Sequence, residues 1–326
     1  MKTDIAKILV IGAGVNGCAC ATELYKAGID VTILARGKRY NDIKTEGIII
    51  ENPFNHKRSI TKVPVISELQ PEDIYDYILV IIRNNQISTL LPVLAQNKSP
   101  NVVFMGNTLS NPDKYTNAIG KDRVLMGSVF AGGRREDNII KAFIVKSIAG
   151  AVGEVNGTIT PRVIRLKNIL RQGGFKSKVS TNIVDAIITH AAGIPAFALM
   201  VMKHKLNIRE LTKSTEDLFL MVDATRESYS VIKALGYKIV PKLTNLVYVI
   251  PRFIQVAFLR MFLNTKIAEF GGVYHVSQAP DEMNYLAEDL KALVEKSGLP
   301  VPAIRKVLEN ELPRSRADGV SKSKQK

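Results

Sequence analysis

"ILVIGAGVNGCACATELYKAGIDVTILARGKR", Ile8 to Arg39, decides the fold. An apolar β-rich run ends in a glycine-rich turn, a helical stretch follows, and a second β-rich run closes at Leu34. Gly12, Gly14 and Gly17 give G-x-G-x-x-G directly after the first run. In such a unit the first glycine permits a tight turn, the second lets backbone approach a pyrophosphate, and the third lets the helix pack closely on the sheet. The amides that open the helix then meet the phosphate charge. The context predicts a dinucleotide site made by Gly12, Ala13, Gly14, Val15, Asn16 and Gly17.

The end of the second run selects the cofactor. An acid there would accept hydrogen bonds from a ribose 2′-hydroxyl and repel a 2′-phosphate. This chain has Arg36, then Lys38 and Arg39, and no acid until Asp42. A guanidinium matches phosphate with paired donors, so the expected cofactor is NADP, with Arg36 as the contact. The other reading of the three cations is a solvated basic loop.

Outward from this unit, β-rich runs recur at Lys7–Ile11, Asp30–Leu34, Tyr77–Ile82, Asn101–Met105 and Arg123–Ser128, separated by helical stretches. That alternation predicts an α/β fold with a parallel, Rossmann-type sheet. Ligands in such sheets sit beyond the carboxyl ends of the strands, where "IIRNNQ" and "FMGNT" fall. "RQGGFKS" (Arg171–Ser177) reads as the last strand and a hinge. From about residue 180 the pattern is helical. The expected domains are 1–175, binding NADP, and 176–312, helical, with 313–326 a disordered basic tail.

The 326 residues carry a formal net charge of +15. The last fourteen, "PRSRADGVSKSKQK", hold five basic residues against one acid, and the rest of the excess is spread without a basic block. No nucleic-acid module accompanies it, so no nucleic-acid partner is expected. Cys18 and Cys20 lie two apart on one helix and have no spaced partner for a metal, which reads as small buried residues in a reduced compartment. "MKTDIAKILV" enters a strand without an apolar leader, so the expected location is cytoplasmic. "LVYVIPRFIQVAFLRMFL" (Leu246–Leu263) is apolar, but Pro251, Arg252, Gln255 and Arg260 interrupt it. Arg252, Gln255 and Arg260 share one side at helical spacing, which predicts a buried helix with a wet seam and no membrane role.

Several separated motifs together resemble the ketopantoate reductase (2-dehydropantoate 2-reductase) family over nearly the whole chain. "VIGAGVNG" and "LARGKR" are similar to its nucleotide loop and phosphate-reading segment. "IIRNNQ" places Arg83 where a cofactor-contacting lysine usually sits, with Gln86 three residues on. "FMGNT" puts Asn107 beside the nicotinamide and substrate, and "LMGSVFAGGRRE" (Leu125–Glu136) brings small residues near the cofactor, around Gly132. "DEMNYLAEDLKALVEKSGLPVP" (Asp281–Pro302) places Glu282 at the family's active-site glutamate. The resemblance implies NADPH-dependent reduction of 2-dehydropantoate to pantoate, a step of pantothenate biosynthesis. It also implies a Rossmann domain followed by a helical domain like that at the C-terminus of 6-phosphogluconate dehydrogenase.

The family's lysine and two asparagines should fall in "NIVDAIITHAAGIPAFAL" (Asn182–Leu199). Anchored on Pro195, the register gives Ala186, His190 and Ile194 instead. His190, one turn from the vacant lysine position, is the substitute proton donor, since histidine titrates near neutrality. His275 is a second candidate. The expected catalytic set is His190, Glu282 and Asn107. Each has a plainer reading: a packed histidine, a carboxylate favoured at a helix start, and a turn-forming asparagine. Ala186 and Ile194 also keep open a related oxidoreductase acting on a more apolar carbonyl, and a nucleotide-binding sensor without turnover. The expected partner is a small carbonyl substrate, with a homodimer as one assembly the sequence leaves open.

Overall fold

The computed structural model describes residues 5–128, 131–144 and 149–309. The strands are β1 (Lys7–Ile11), β2 (Asp30–Leu34), β3 (Ile48–Glu51), β4 (Arg58–Thr61), β5 (Val65–Ile66) and β6 (Tyr77–Val80), then β7 (Val102–Phe104), β8 (Val124–Gly127), β9 (Ala131–Glu136), β10 (Ile139–Ile144), β11 (Gly150–Glu154) and β12 (Ser177–Val179). Helices α1 (Val15–Lys26), α2 (Gly37–Glu46), α3 (Ile87–Gln96), α4 (Asp113–Ile119) and α5 (Pro161–Gln172) accompany them.

Eight strands form one sheet in the order β12-β11-β8-β7-β6-β1-β2-β5. All neighbours are parallel except β11, which runs antiparallel to β8. The order reverses between β1 and β6, so a crevice opens outside their carboxyl ends. Burial on both faces explains why β1 and β6 are continuous apolar runs: Ile8, Leu9, Val10, Ile78 and Leu79 are wholly buried. Cys18 and Cys20 lie inside with α1, and burial pushes the Cys20 thiol up to about 12.

Two expectations need correction here. "RQGGFKS" is the end of α5 and a turn, and the strand begins only at Ser177. Gly173 caps α5 and Gly174 takes a φ of +80, so the backbone turns here instead of pairing, while Phe175 is buried beside Leu170. A second sheet, β4-β3-β10-β9, was not expected at all. Its β3–β4 hairpin is written as "IIIENPFNHKRSIT", two β-rich runs around an Asn-Pro turn.

After β12 the chain is helical: α6 (Ile183–Lys203), α7 (Ile208–Lys213), α8 (Thr215–Ala234), α9 (Arg252–Leu263), α10 (Lys266–Ala268), α11 (Tyr274–Gln278), α12 (Pro280–Ser297) and α13 (Pro302–Leu308). A short 3₁₀ helix, Lys242–Tyr248, precedes α9, and a π-turn, Glu269–Val273, precedes α11. Helix α6 is long and apolar enough to cross a membrane, yet it packs on α8, α12 and α13. Ala191, Ala192, Ala196 and Ala198 on it are fully buried, letting its neighbours approach closely. The N-terminal parallel sheet and helical C-terminal part thus match the predicted class. The basic tail 313–326 lies outside the described residues.

Helix α9 reverses expectation. Arg252, Gln255 and Arg260 do share a side, but that side, with Val256 and Leu263, faces the protein. Phe253, Phe258, Met261 and Phe262 face solvent. Among the described residues the three polar side chains find their hydrogen-bond partners on the inner side, and this fixes the orientation.

Candidate active site

The nucleotide wall is built mainly by backbone. Gly12 has φ +120, and a Cβ there would lie 2.2 Å from the Ile81 carbonyl oxygen. A Cβ on Gly17 would lie 1.8 Å from the Gly12 carbonyl oxygen, so only glycine lets α1 settle on the turn. Around Gly14 nothing stands within 4 Å, and no side chain caps the start of α1. An open backbone beside uncapped amides fits an anionic pyrophosphate. Asn16 is engaged elsewhere: its Oδ1 accepts from the Ala131 amide at 2.9 Å, tying α1 to β9. Ala13 and Val15 pack against the sheet core.

The three cations after β2 have separate fates. Arg36, at the start of α2, is exposed and has no side-chain partner among the described residues. Lys38 pairs with Asp42 at 3.1 Å. Arg39, expected to be part of the phosphate cluster, is buried instead. Its guanidinium donates to the Ala13 carbonyl (3.3 Å), to Asn138 and to the Cys18 sulfur (3.3 Å). It braces the glycine turn from beneath, a role without a sequence signature because its partners come from three separate parts of the chain and half of them are backbone carbonyls.

Beyond β6, Arg83 donates to Asp281 Oδ1 (2.7 Å) and to the Gln278 carbonyl, so this side chain binds the start of α12. Asn85 donates to the other Asp281 oxygen at 2.9 Å. Arg83 and Asn85 both lower the Asp281 pKa, against the upward push of its own burial. Sequence reading missed Asp281, the immediate neighbour of Glu282. Asn84, also missed, is buried and holds Tyr115 and Thr108 in place. Gln86 is exposed at the start of α3. Gly132 is buried, with the Phe143 ring and Gly271 so near that a Cβ would crowd both.

The second wall is made of side chains. Glu282, in the first turn of α12, is 4% exposed. Asn107, just past β7, donates from Nδ2 to its Oε1 at 3.4 Å. His275 on α11 brings Nε2 to 3.4 Å from Glu282 Oε2, at an angle that makes no hydrogen bond, and forms an ion pair when protonated. His190 on α6 is reached by solvent yet crowded by protein, the setting of a group on a cleft floor. Desolvation first, and the charge of His275 second, hold its pKa below the ordinary 6.5. Ala186 lies one turn earlier on the same helix, half-buried, and Ile194 one turn later packs into the helical core. The four polar side chains thus gather from β7, α6, α11 and α12. Among the described residues no group of His, Cys, Asp and Glu could hold a metal ion.

Residues 8–146 match the model of the ketopantoate reductase PanE/ApbA family. No curated protein matches the chain. Among solved structures it is similar to a 2-dehydropantoate 2-reductase from Geobacter metallireducens GS-15, with TM-score 0.76 and 15% identity over 93% of this chain and 98% of that one. It is similar to a D-mandelate dehydrogenase solved with NADH and anilino(oxo)acetate, with TM-score 0.74 and 18% identity over 93% and 96% of the two chains. A third is a 2-dehydropantoate 2-reductase from Methylococcus capsulatus, with TM-score 0.71 and 18% identity over 93% and 94%. At such identities the structures establish a shared fold, and the likeness to the ketopantoate reductase PanE/ApbA family model lies in the N-terminal, sheet-forming part of the chain.

Proposed function

We propose that the chain is an NADPH-dependent reductase of a 2-oxo acid, of the ketopantoate reductase type. One observation carries this reading: Asn107 and Glu282, 175 residues apart in sequence, meet beyond the sheet's carboxyl edge beside two histidines. The glycine turn would hold the pyrophosphate and Arg36 the 2′-phosphate. Bound there, the cofactor supplies the hydride.

The chain's own residues supply the rest. Asn107 uses one amide proton on Glu282 and keeps a second donor and its oxygen for a ligand. Its reach is fixed because Glu282 is itself buried. His190 would protonate the oxygen that gains charge as the keto carbon is reduced. In the unliganded protein burial, and then the charge of His275, favour its neutral form. An anionic substrate beside it restores the proton, so substrate binding and donor protonation are coupled. His275, facing Glu282, sets the charge that His190 feels.

Ala186 and Ile194 favour a second reading, in which the carbonyl substrate is more apolar than ketopantoate. NADPH oxidation, followed spectrophotometrically with ketopantoate, other 2-oxo acids and bulkier ketones, separates the two. With the best substrate, His190→Ala is expected to lower kcat by about 10²–10⁴-fold, the usual worth of a positioned proton donor. NADPH affinity should stay unchanged. Full turnover by this variant would remove His190 from the site.

A further inference from the structure

Half-turned outward, the segment from the 3₁₀ helix Lys242–Tyr248 through α9 carries an apolar face that the site does not use. Leu243, Val249, Phe253, Phe258, Met261 and Phe262 are 73%, 77%, 67%, 59%, 63% and 47% exposed. Leu246 and Ile267 extend the same stretch. Taking ~150–200 Å² for a large apolar side chain, the eight present on the order of 800 Å². The largest apolar patch on an ordinary monomer is about 300–600 Å². One partner's share of a standard interface is about 800 Å².

The face is held in place. Gln255 Nε2 donates to the carbonyls of Val247 (2.8 Å) and Ile250 (2.7 Å), clamping the preceding segment to α9. Arg260 donates to the Thr212 carbonyl (3.0 Å) and the Thr215 hydroxyl (2.9 Å). Arg252 pairs with Asp223 and lies over the Phe219 ring. From 243 to 265 there is no Lys, Asp or Glu, while three Phe, one Met and two Arg are present. Depletion of Lys and acids with enrichment of aromatics, Met and Arg marks the centre of a protein–protein interface.

We propose that this face is covered by a second copy of the chain, in a two-fold homodimer. An apolar face is complementary to itself, and an isologous contact needs no charge partner. A helix lying on a lipid surface instead lines its water-facing side with Lys and Arg. Here the arginines of α9 are tied back to α7 and α8, and Lys266 at the rim pairs with Glu269.

Sedimentation equilibrium of the full chain at micromolar concentration tests the proposal. The expected particle has twice the 35.9 kDa chain mass, and its association should be insensitive to salt. Phe258→Glu and, outside α9, Val249→Glu should each weaken dimerisation by more than a hundredfold with circular dichroism unchanged. A wild-type monomer, or dimers that survive both variants, would overturn it. A monomer that co-sediments with phosphatidylserine vesicles would also overturn it and assign the face to lipid.

Discussion

The two walls of the cleft are held by different physics. The nucleotide wall is backbone geometry: Gly12 and Gly17 stand where any Cβ would overlap a carbonyl oxygen. The facing wall is side chains from several elements: Asn107 and His275 each stand 3.4 Å from Glu282, and His190 feels the charge of His275. A wall made of backbone is fixed by which residues can occupy it. A wall made of side chains can exchange its chemistry while its helices stay put. That is why a chain can keep the glycine turn and carry Ala186 where the resemblance implies a lysine.

The sharpest way to break this contrast uses two glycines in one loop. Gly17→Ala pushes a methyl group against the Gly12 carbonyl oxygen, and overpacking of this kind costs about 1–3 kcal/mol or more. A lowered Tm together with loss of both NADPH and NADH binding is expected. Gly14→Ala has open space around it, so Tm should not move, while dinucleotide affinity falls because the methyl group occupies the ligand's path. Calorimetric titration and a melting curve on each variant decide. A Gly14→Ala protein that binds like wild type would mean that no pyrophosphate approaches there.

A smaller effect separates the cations. Arg36 faces solvent and Arg39 is buried under the turn. Removing a charge-assisted contact to a phosphate costs about 2 kcal/mol, roughly thirtyfold in affinity. Arg36→Ala should therefore lose that much for NADPH and nothing for NADH. Arg39→Ala should lower Tm and weaken both cofactors alike, because it releases the Ala13 carbonyl and Asn138. Equal losses of the two cofactors in Arg36→Ala would assign the 2′-phosphate to another group.

These cases also show how much was legible beforehand. β1, the glycine turn and α1 could be read because a buried strand, a forced turn and a close helix leave fixed marks in sequence. The β3–β4 hairpin was overlooked though its turn is visible, since its strands are only four residues each and pair in a second sheet apart from the alternating β-rich runs. Arg39 and Arg83 could be located but not assigned, because a cation's sequence position does not say whether it turns inward. Helix α9 failed for the same reason. Its apolar side was identified and its direction was not, since periodicity gives two faces and only the neighbours decide which is covered. The resemblance named Asn107 and Glu282 separately as site residues; their contact was beyond any local pattern and comes from the structure.

The smallest expected effect concerns pH, and it bears on the side-chain wall alone. In the proposed mechanism His190 carries the proton that the reduced substrate takes up. Its pKa lies below 6.5 because protein crowds the ring and His275 adds like charge. The protonated fraction therefore declines as pH rises through that lowered value. The logarithm of kcat/KM, which reports the unliganded enzyme, should fall with unit slope above a midpoint below 6.5. In the complex a substrate carboxylate favours the imidazolium, so the limb in kcat should sit at higher pH. His275→Gln removes the like charge without emptying the space, and its kcat/KM limb should move up toward 6.5, while the dinucleotide affinity of the opposite wall stays the same. A limb that ignores His275→Gln would disconnect the two histidines and leave His190 acting alone.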